Sequence, residues 1–271
     1  MDRAYEKAGK AREKGLDPKK EVEIPQAEDL AARVEKLVGP EGVTEAIREL
    51  EGKMSREEIA FEIAERIVNE EFGPLPDEEI AEQAVRTFLA IITEGIAAAA
   101  PIEGITKIDI KSNFDGSKYL AIYFAGPIRS AGGTAAALAV LITDFVQRKL
   151  GLGPFKPKDE EVERAVEEVN IYDDMVGLQY SPSEKEVRKT YGNIPVEVTG
   201  DPTETEKVNA NKGLERVETD RVRGGAVLAI AEGVLQKAPK LRKHVENLDL
   251  DGWNWLKEAK GSKEEKDEED E

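Results

Sequence analysis

The sequence predicts an α+β fold: a helical N-terminal half followed by a small, mainly antiparallel sheet packed against helices. Three observations carry this. Apolar residues recur at spacings of three and four through the first hundred residues. Past Pro101 the period falls to two. Asp115-Gly116 then separates two β-prone runs, which is hairpin chemistry.

The elements follow in order. Asp2 to Lys14 is charged and helix-compatible, and Gly15 ends it. Pro25 opens a second helix carrying Leu30, Val34, Leu37 and Val38, stopped by Gly39-Pro40. Ser55 with Glu58 is a capping-box pattern ahead of Ile59, Ile63, Ile67 and Val68. Asp77 is placed to cap a third long helix, nearly all apolar from Phe88 to Ala100 and so expected in the middle of the structure. Ile108 and Ile110 alternate with charges, as in a half-buried strand, and Tyr119 to Phe124 reads as a central strand. Helices are expected over Ala135 to Leu150, Glu160 to Val169, Glu184 to Thr190 and Ala226 to Lys237, with Pro239 starting or kinking another. Ile194 to Val198 contains Pro195, so it is expected as an edge strand.

Three regions result: a helical region, 1–100; an α/β region with two Gly-Gly helix starts, 101–256; and 257–271, a disordered acidic tail or linker. In that last stretch twelve of fifteen residues are charged, too few apolar groups to offset the entropy of ordering.

The 271 residues contain 39 Lys+Arg and 57 Asp+Glu, a net charge of −18. Such a charge repels nucleic acid at long range, although a local basic patch can still bind it. With no cysteine, disulfides, Fe–S clusters, thiolate zinc sites and cysteine nucleophiles are excluded; with His244 the single histidine, so is any two-imidazole site. No apolar run approaches the roughly 20 residues that span a bilayer, and no signal-peptide h-region opens the chain, so a soluble intracellular protein is expected.

The stretch richest in chemical possibility runs from Ala125 to Thr134, AGPIRSAGGT. Strand, glycine-rich loop and helix N-terminus are the parts of an anion cradle, to which Arg129 would add a charged fork. The spacing fits neither a Walker A loop nor GxGxxG. Gly132-Gly133 equally permits a tight turn with close helix packing, and both readings stand. A second stretch echoes it: Arg221-x-x-Gly224-Gly225 before a small-residue helix mirrors Arg129-x-x-Gly132-Gly133. The two helices are expected to pack together, placing Arg129, Arg221 and Arg223 on one side as an anion-site candidate. Asp173-Asp174 and Asp249-x-Asp251 are expected to be solvated rather than metal ligands. His244 has no identifiable partner for base catalysis. One of Trp253 and Trp255 is expected as a core anchor, and Tyr172, Tyr180 and Tyr191 as packing residues. No catalytic residue and no metal site is assigned.

The run from Tyr119 to Thr134 closely resembles the N-terminal region of the large subunit of the archaeal family D DNA polymerase (DNA polymerase II). So do Arg223 to Lys237, Val22 to Ala27, Glu82 to Thr87, Thr93 to Gly95 and Gly252 to Leu256. The resemblance implies a replicative enzyme that extends primers by metal-dependent nucleotidyl transfer, magnesium being the expected ion. It also implies a smaller partner subunit with 3′–5′ exonuclease activity, and DNA bound through the whole complex in the cytoplasm, near the nucleoid. The family's polymerase aspartates lie far downstream of any region matched here. What is implied for this segment is a non-catalytic scaffold without a cofactor. Its first helices, Asp2 to Lys14 and Gln26 to Val38, are expected to dock on another chain. The alternative is a phosphate-binding module using Arg129, Arg221 and Arg223 with their glycines. An independent phosphate-ligand enzyme lacks a base, a nucleophile and a metal site.

Overall fold

The computed structural model describes residues 2–14, 27–93 and 99–259. Helix α1, Asp2–Glu13, ends where Gly15 predicts. Pro25 lies outside the described residues; α2, Leu30–Leu37, starts at Asp29, whose carboxylate accepts the Ala32 N–H at 2.8 Å. An additional helix, α3, Val43–Leu50, follows the Gly39-Pro40 break. Before α4, Arg56–Val68, the capping box is formed: Ser55 N–H donates to Glu58 at 2.8 Å and Glu58 N–H to the Ser55 hydroxyl at 3.3 Å. Helix α5, Asp77–Ile92, begins with Asp77 as its first residue, Pro76 occupying the cap. The expected apolar continuation to Ala100 is interrupted: residues 94–98 lie outside the described residues, and α6 spans Ala99–Glu103.

Strands β1, Ile105–Ser112, and β2, Lys118–Phe124, form the expected hairpin, with Ile108 opposite Ile122 and Gly116 at φ +84°. Beyond it come α7, Ile128–Ala131; α8, Gly133–Lys149; α9, Asp159–Val176; and α10, Glu184–Tyr191. Strand β3, Glu197–Gly200, starts past Pro195 and pairs with β2 in parallel, giving a mixed sheet of order β1-β2-β3. An edge strand was expected, and the parallel sense was not. Four helices separate β2 from β3, a crossover long enough to bring the chain back in the same direction. Helix α11, Gly224–Leu228, runs into a π-helical stretch, Ala229–Leu235, and α12, Ala238–Asn247, carries Pro239 in its first turn.

Helix α8 is the centre of the molecule, buried continuously from Ala136 to Gln147. Phe61 of α4 joins it to α5 through ring contacts of 5.4 Å to Phe145 and 4.7 Å to Phe88. One hydrophobic cluster extends from Ala31 to Ala259, so the core does not stop at residue 100. Each fully buried Leu, Ile or Phe in it contributes about 1.5–3 kcal/mol.

The C-terminal end differs from expectation. Lys257 and Glu258 belong to a 3-10 turn, Asn254–Glu258, and Ala259 is buried; residues 260–271 lie outside the described residues. Both tryptophans are anchors, because a helical turn stacks them at 5.8 Å instead of alternating them. Trp253 donates its indole N–H to the buried Asp144 at 2.8 Å. Among the described residues no helix is long and apolar enough to cross a membrane.

Candidate functional site

The two glycine-rich helix starts do meet, and Tyr172 of α9 is where they meet. Arg129 Nη2 donates to the Tyr172 hydroxyl at 2.6 Å, and a Cβ on Gly224 would lie 2.4 Å from the Tyr172 ring. The glycines serve close approach. A Cβ on Gly133 would stand 2.0 Å from the Glu232 carbonyl oxygen, and one on Gly225 2.9 Å from the Phe124 backbone. Gly132 adopts φ +82°, which turns the chain from α7 into α8.

The arginines divide. Arg129 is exposed beside the first turn of α8. Arg221 is half-buried, and its Nε donates to the Glu204 carbonyl at 2.7 Å. Arg223 does not join them. It points inward, 2% exposed, with Nη2 2.5 Å from Glu168 Oε2 and Nη1 2.8 Å from the Thr199 hydroxyl. The expected three-arginine face is therefore corrected for Arg223, because the buried Glu168 carboxylate and the Thr199 hydroxyl hold its guanidinium in the interior, whereas Arg221 is engaged by the Glu204 carbonyl. Burial alone would raise the Glu168 carboxyl; the guanidiniums of Arg223 and Arg164 outweigh it and hold the acid below its ordinary value. Burial would likewise lower Arg223, and Glu168 reverses that.

A buried polar system surrounds this pair, and the sequence reading missed it. Arg164, fully buried, donates to Glu168 and to the carbonyls of Asn211, Thr219 and Arg221 at 2.9–3.1 Å. Glu161 pairs with the buried Arg216. Glu197 of β3 accepts from the Tyr119 hydroxyl at 2.8 Å and from Lys111 at 2.9 Å. Glu167 accepts the backbone N–H groups of Asn209, Ala210 and Asn211. Through Glu161, Arg164, Glu167 and Glu168 the irregular chain 201–223 is fastened to α9, while Glu197 ties β3 to the other two strands. A signal was available: Glu161, Arg164 and Glu168 fall at i, i+3 and i+7, in register with the buried Ala165, Val169 and Tyr172.

The remaining candidates take structural positions. Asp173 caps its own helix by accepting the Leu178 N–H at 2.8 Å. Tyr172 and Tyr191 are buried, and Tyr180 is half-buried with its hydroxyl donating to Glu186. His244 lines a groove of about 620 Å³ with Phe61, Phe145 and Glu57. Burial lowers its pKa, opposed by the Glu57 carboxylate 3.9 Å away. Among the described residues no three His, Asp or Glu side chains gather as a metal group.

What the fold and this site define is an α+β unit whose inner charges are committed to fastening its own loop, with one exposed arginine beside a glycine-rich helix start. The chain belongs to the family described as DNA polymerase II large subunit DP2, N-terminal, whose model matches residues 1–262. It is 54% identical to the DNA polymerase II large subunit of Methanothermobacter thermautotrophicus, over 98% of this chain and 25% of that protein. It is also 54% identical to the large subunits of Pyrococcus furiosus and Pyrococcus horikoshii, over 97% of this chain and 21% and 19% of those proteins. The chain thus spans a quarter or less of these relatives.

Proposed function

We propose that this segment is the N-terminal scaffold and subunit-interaction part of the large subunit of an archaeal replicative DNA polymerase. The complex performs DNA-templated synthesis with magnesium and proofreads through a smaller 3′–5′ exonuclease subunit, in the cytoplasm at the nucleoid. The observation that carries this is the identity of over half the residues, along nearly the whole chain, with polymerase large subunits several times longer. The buried commitments of Arg164, Arg216 and Arg223 support a structural role for the segment, since those cations are directed at its own carboxylates. The first helices supply the docking element for the small subunit, and the segment by itself does not extend primers.

A second reading, phosphate contact at Arg129 and the Gly132-Gly133 backbone, is favoured by the exposure of Arg129 at the N-terminus of α8. Arg221, Gly224 and Gly225 contribute less there, being engaged in packing or with Glu204.

Co-purification of this chain with the small subunit, with and without residues 1–40, tests the first reading. Association lost on deletion, with the circular dichroism of the remainder preserved, is the expected result. Unchanged association would overturn the assignment of the first helices.

A further inference from the structure

We propose that the tip of the β1–β2 hairpin is a contact point for single-stranded DNA, with Phe114 as the platform for one base and Lys118, Lys156 and Lys158 as the phosphate contacts. Phe114 is 47% exposed, more than any other large hydrophobic residue among those described. Single exposed apolar residues are common and need no explanation. This one is different because it is held. The buried Asn113 beside it donates to Ser117 Oγ at 3.0 Å and to the Pro154 carbonyl at 2.9 Å, and accepts the Lys156 N–H at 2.8 Å. Arg216 backs the ring, its guanidinium 4.4 Å from the ring centroid and itself fixed by Glu161 and the Lys156 carbonyl. A ring fixed in this way loses little freedom when a base stacks on it.

The exposed lysines complete the chemistry. Lys158 Nζ lies 3.3 Å from the Phe114 centroid, and Lys118 and Lys156 are exposed on the neighbouring chain. Asp115 holds Lys156 at 2.6 Å, and Asp159 and Glu160 are also exposed nearby, so the tip is close to neutral in a chain of net charge −18. An incoming base takes the ring face from Lys158, freeing that ammonium for a phosphate. The exposed Lys156–Asp115 pair exchanges partners at little cost. An acidic protein surface would meet the same lysines but would have no use for a planar platform.

The test is fluorescence anisotropy of a labelled oligothymidine titrated with the 271-residue chain at low and moderate salt. Phe114→Ala is expected to weaken binding about tenfold, and Phe114→Trp to restore it, as base stacking on an aromatic requires. Replacing the three lysines by Ala is expected to lower the magnitude of the slope of log K against log salt concentration by about 0.7 per lysine. Binding unchanged by Phe114→Ala, restored equally by Phe114→Leu, or absent at low salt overturns the proposal. Binding lost in Arg129→Ala but retained in Phe114→Ala would overturn it in favour of the α8 start. Small-subunit association, measured on the same Phe114→Ala variant, reports on the scaffold reading separately.

Discussion

Glu168 is the most consequential single residue, since two guanidiniums are buried around its one carboxylate. A buried ion pair adds little net stability compared with an apolar pair, because desolvation opposes the attraction; removing one partner leaves uncompensated charge. Glu168→Gln is therefore expected to lower unfolding free energy by about 3–5 kcal/mol in urea titrations at pH 7. The acid limb gives a second readout. The folded pKa of Glu168 lies below its ordinary value of 4.5. Its contribution is complete above that value and drains away as pH falls through the folded one, where the unfolded chain takes the proton first. The Gln variant should lose this part of the pH dependence. Arg223 itself was legible only in part. Its motif was seen, but whether it faced solvent depended on Glu168, 55 residues away in sequence, and no local pattern reports such a pairing.

At the scale of elements, the crossing of α8 with the π-helical stretch rests on Gly133. Its missing side chain lets the Glu232 carbonyl approach the helix directly. Gly133→Ala is expected to push these elements apart and to destabilise the chain by about 1–3 kcal/mol. Gly126→Ala, with open space around it and an ordinary φ, should change little by the same thermal melts. The Ser55 cap, the Asp115-Gly116 hairpin and the buried stripe of α4 were all readable, because each is set by residues within one turn or one strand. Helix α3 was missed because only eight residues follow a Gly-Pro break, too few to establish a period. The π geometry was missed because AIAEGVL reads as ordinary helix; the widening is imposed by what packs on it.

For the molecule as a whole, α9 and the chain from 201 to 223 act as one fastening. A connection of this length without regular structure is unusual in a compact domain. Here Glu161, Arg164, Glu167 and Glu168 supply the contacts that a strand ladder would otherwise provide. Replacing Arg164 with Met and Glu167 with Gln together is expected to expose residues 203–215 to limited proteolysis while the melting transition of the core persists. Protection equal to the wild type would show that the loop is held some other way. The β1–β2 hairpin closes over five turn residues, but β3 reaches β2 only after α8, α9 and α10 have been made. Contacts between residues so far apart form late, since loop-closure entropy precedes their reward. On a ribosome, the hairpin is complete while the side of β2 that awaits β3 still stands open. Tyr119, whose hydroxyl ends on Glu197, has no acceptor there until a residue 78 positions later is synthesised. The growing chain therefore carries an unpaired strand edge through much of its own translation, and the order of synthesis, with α8 next to emerging, decides what first shelters it.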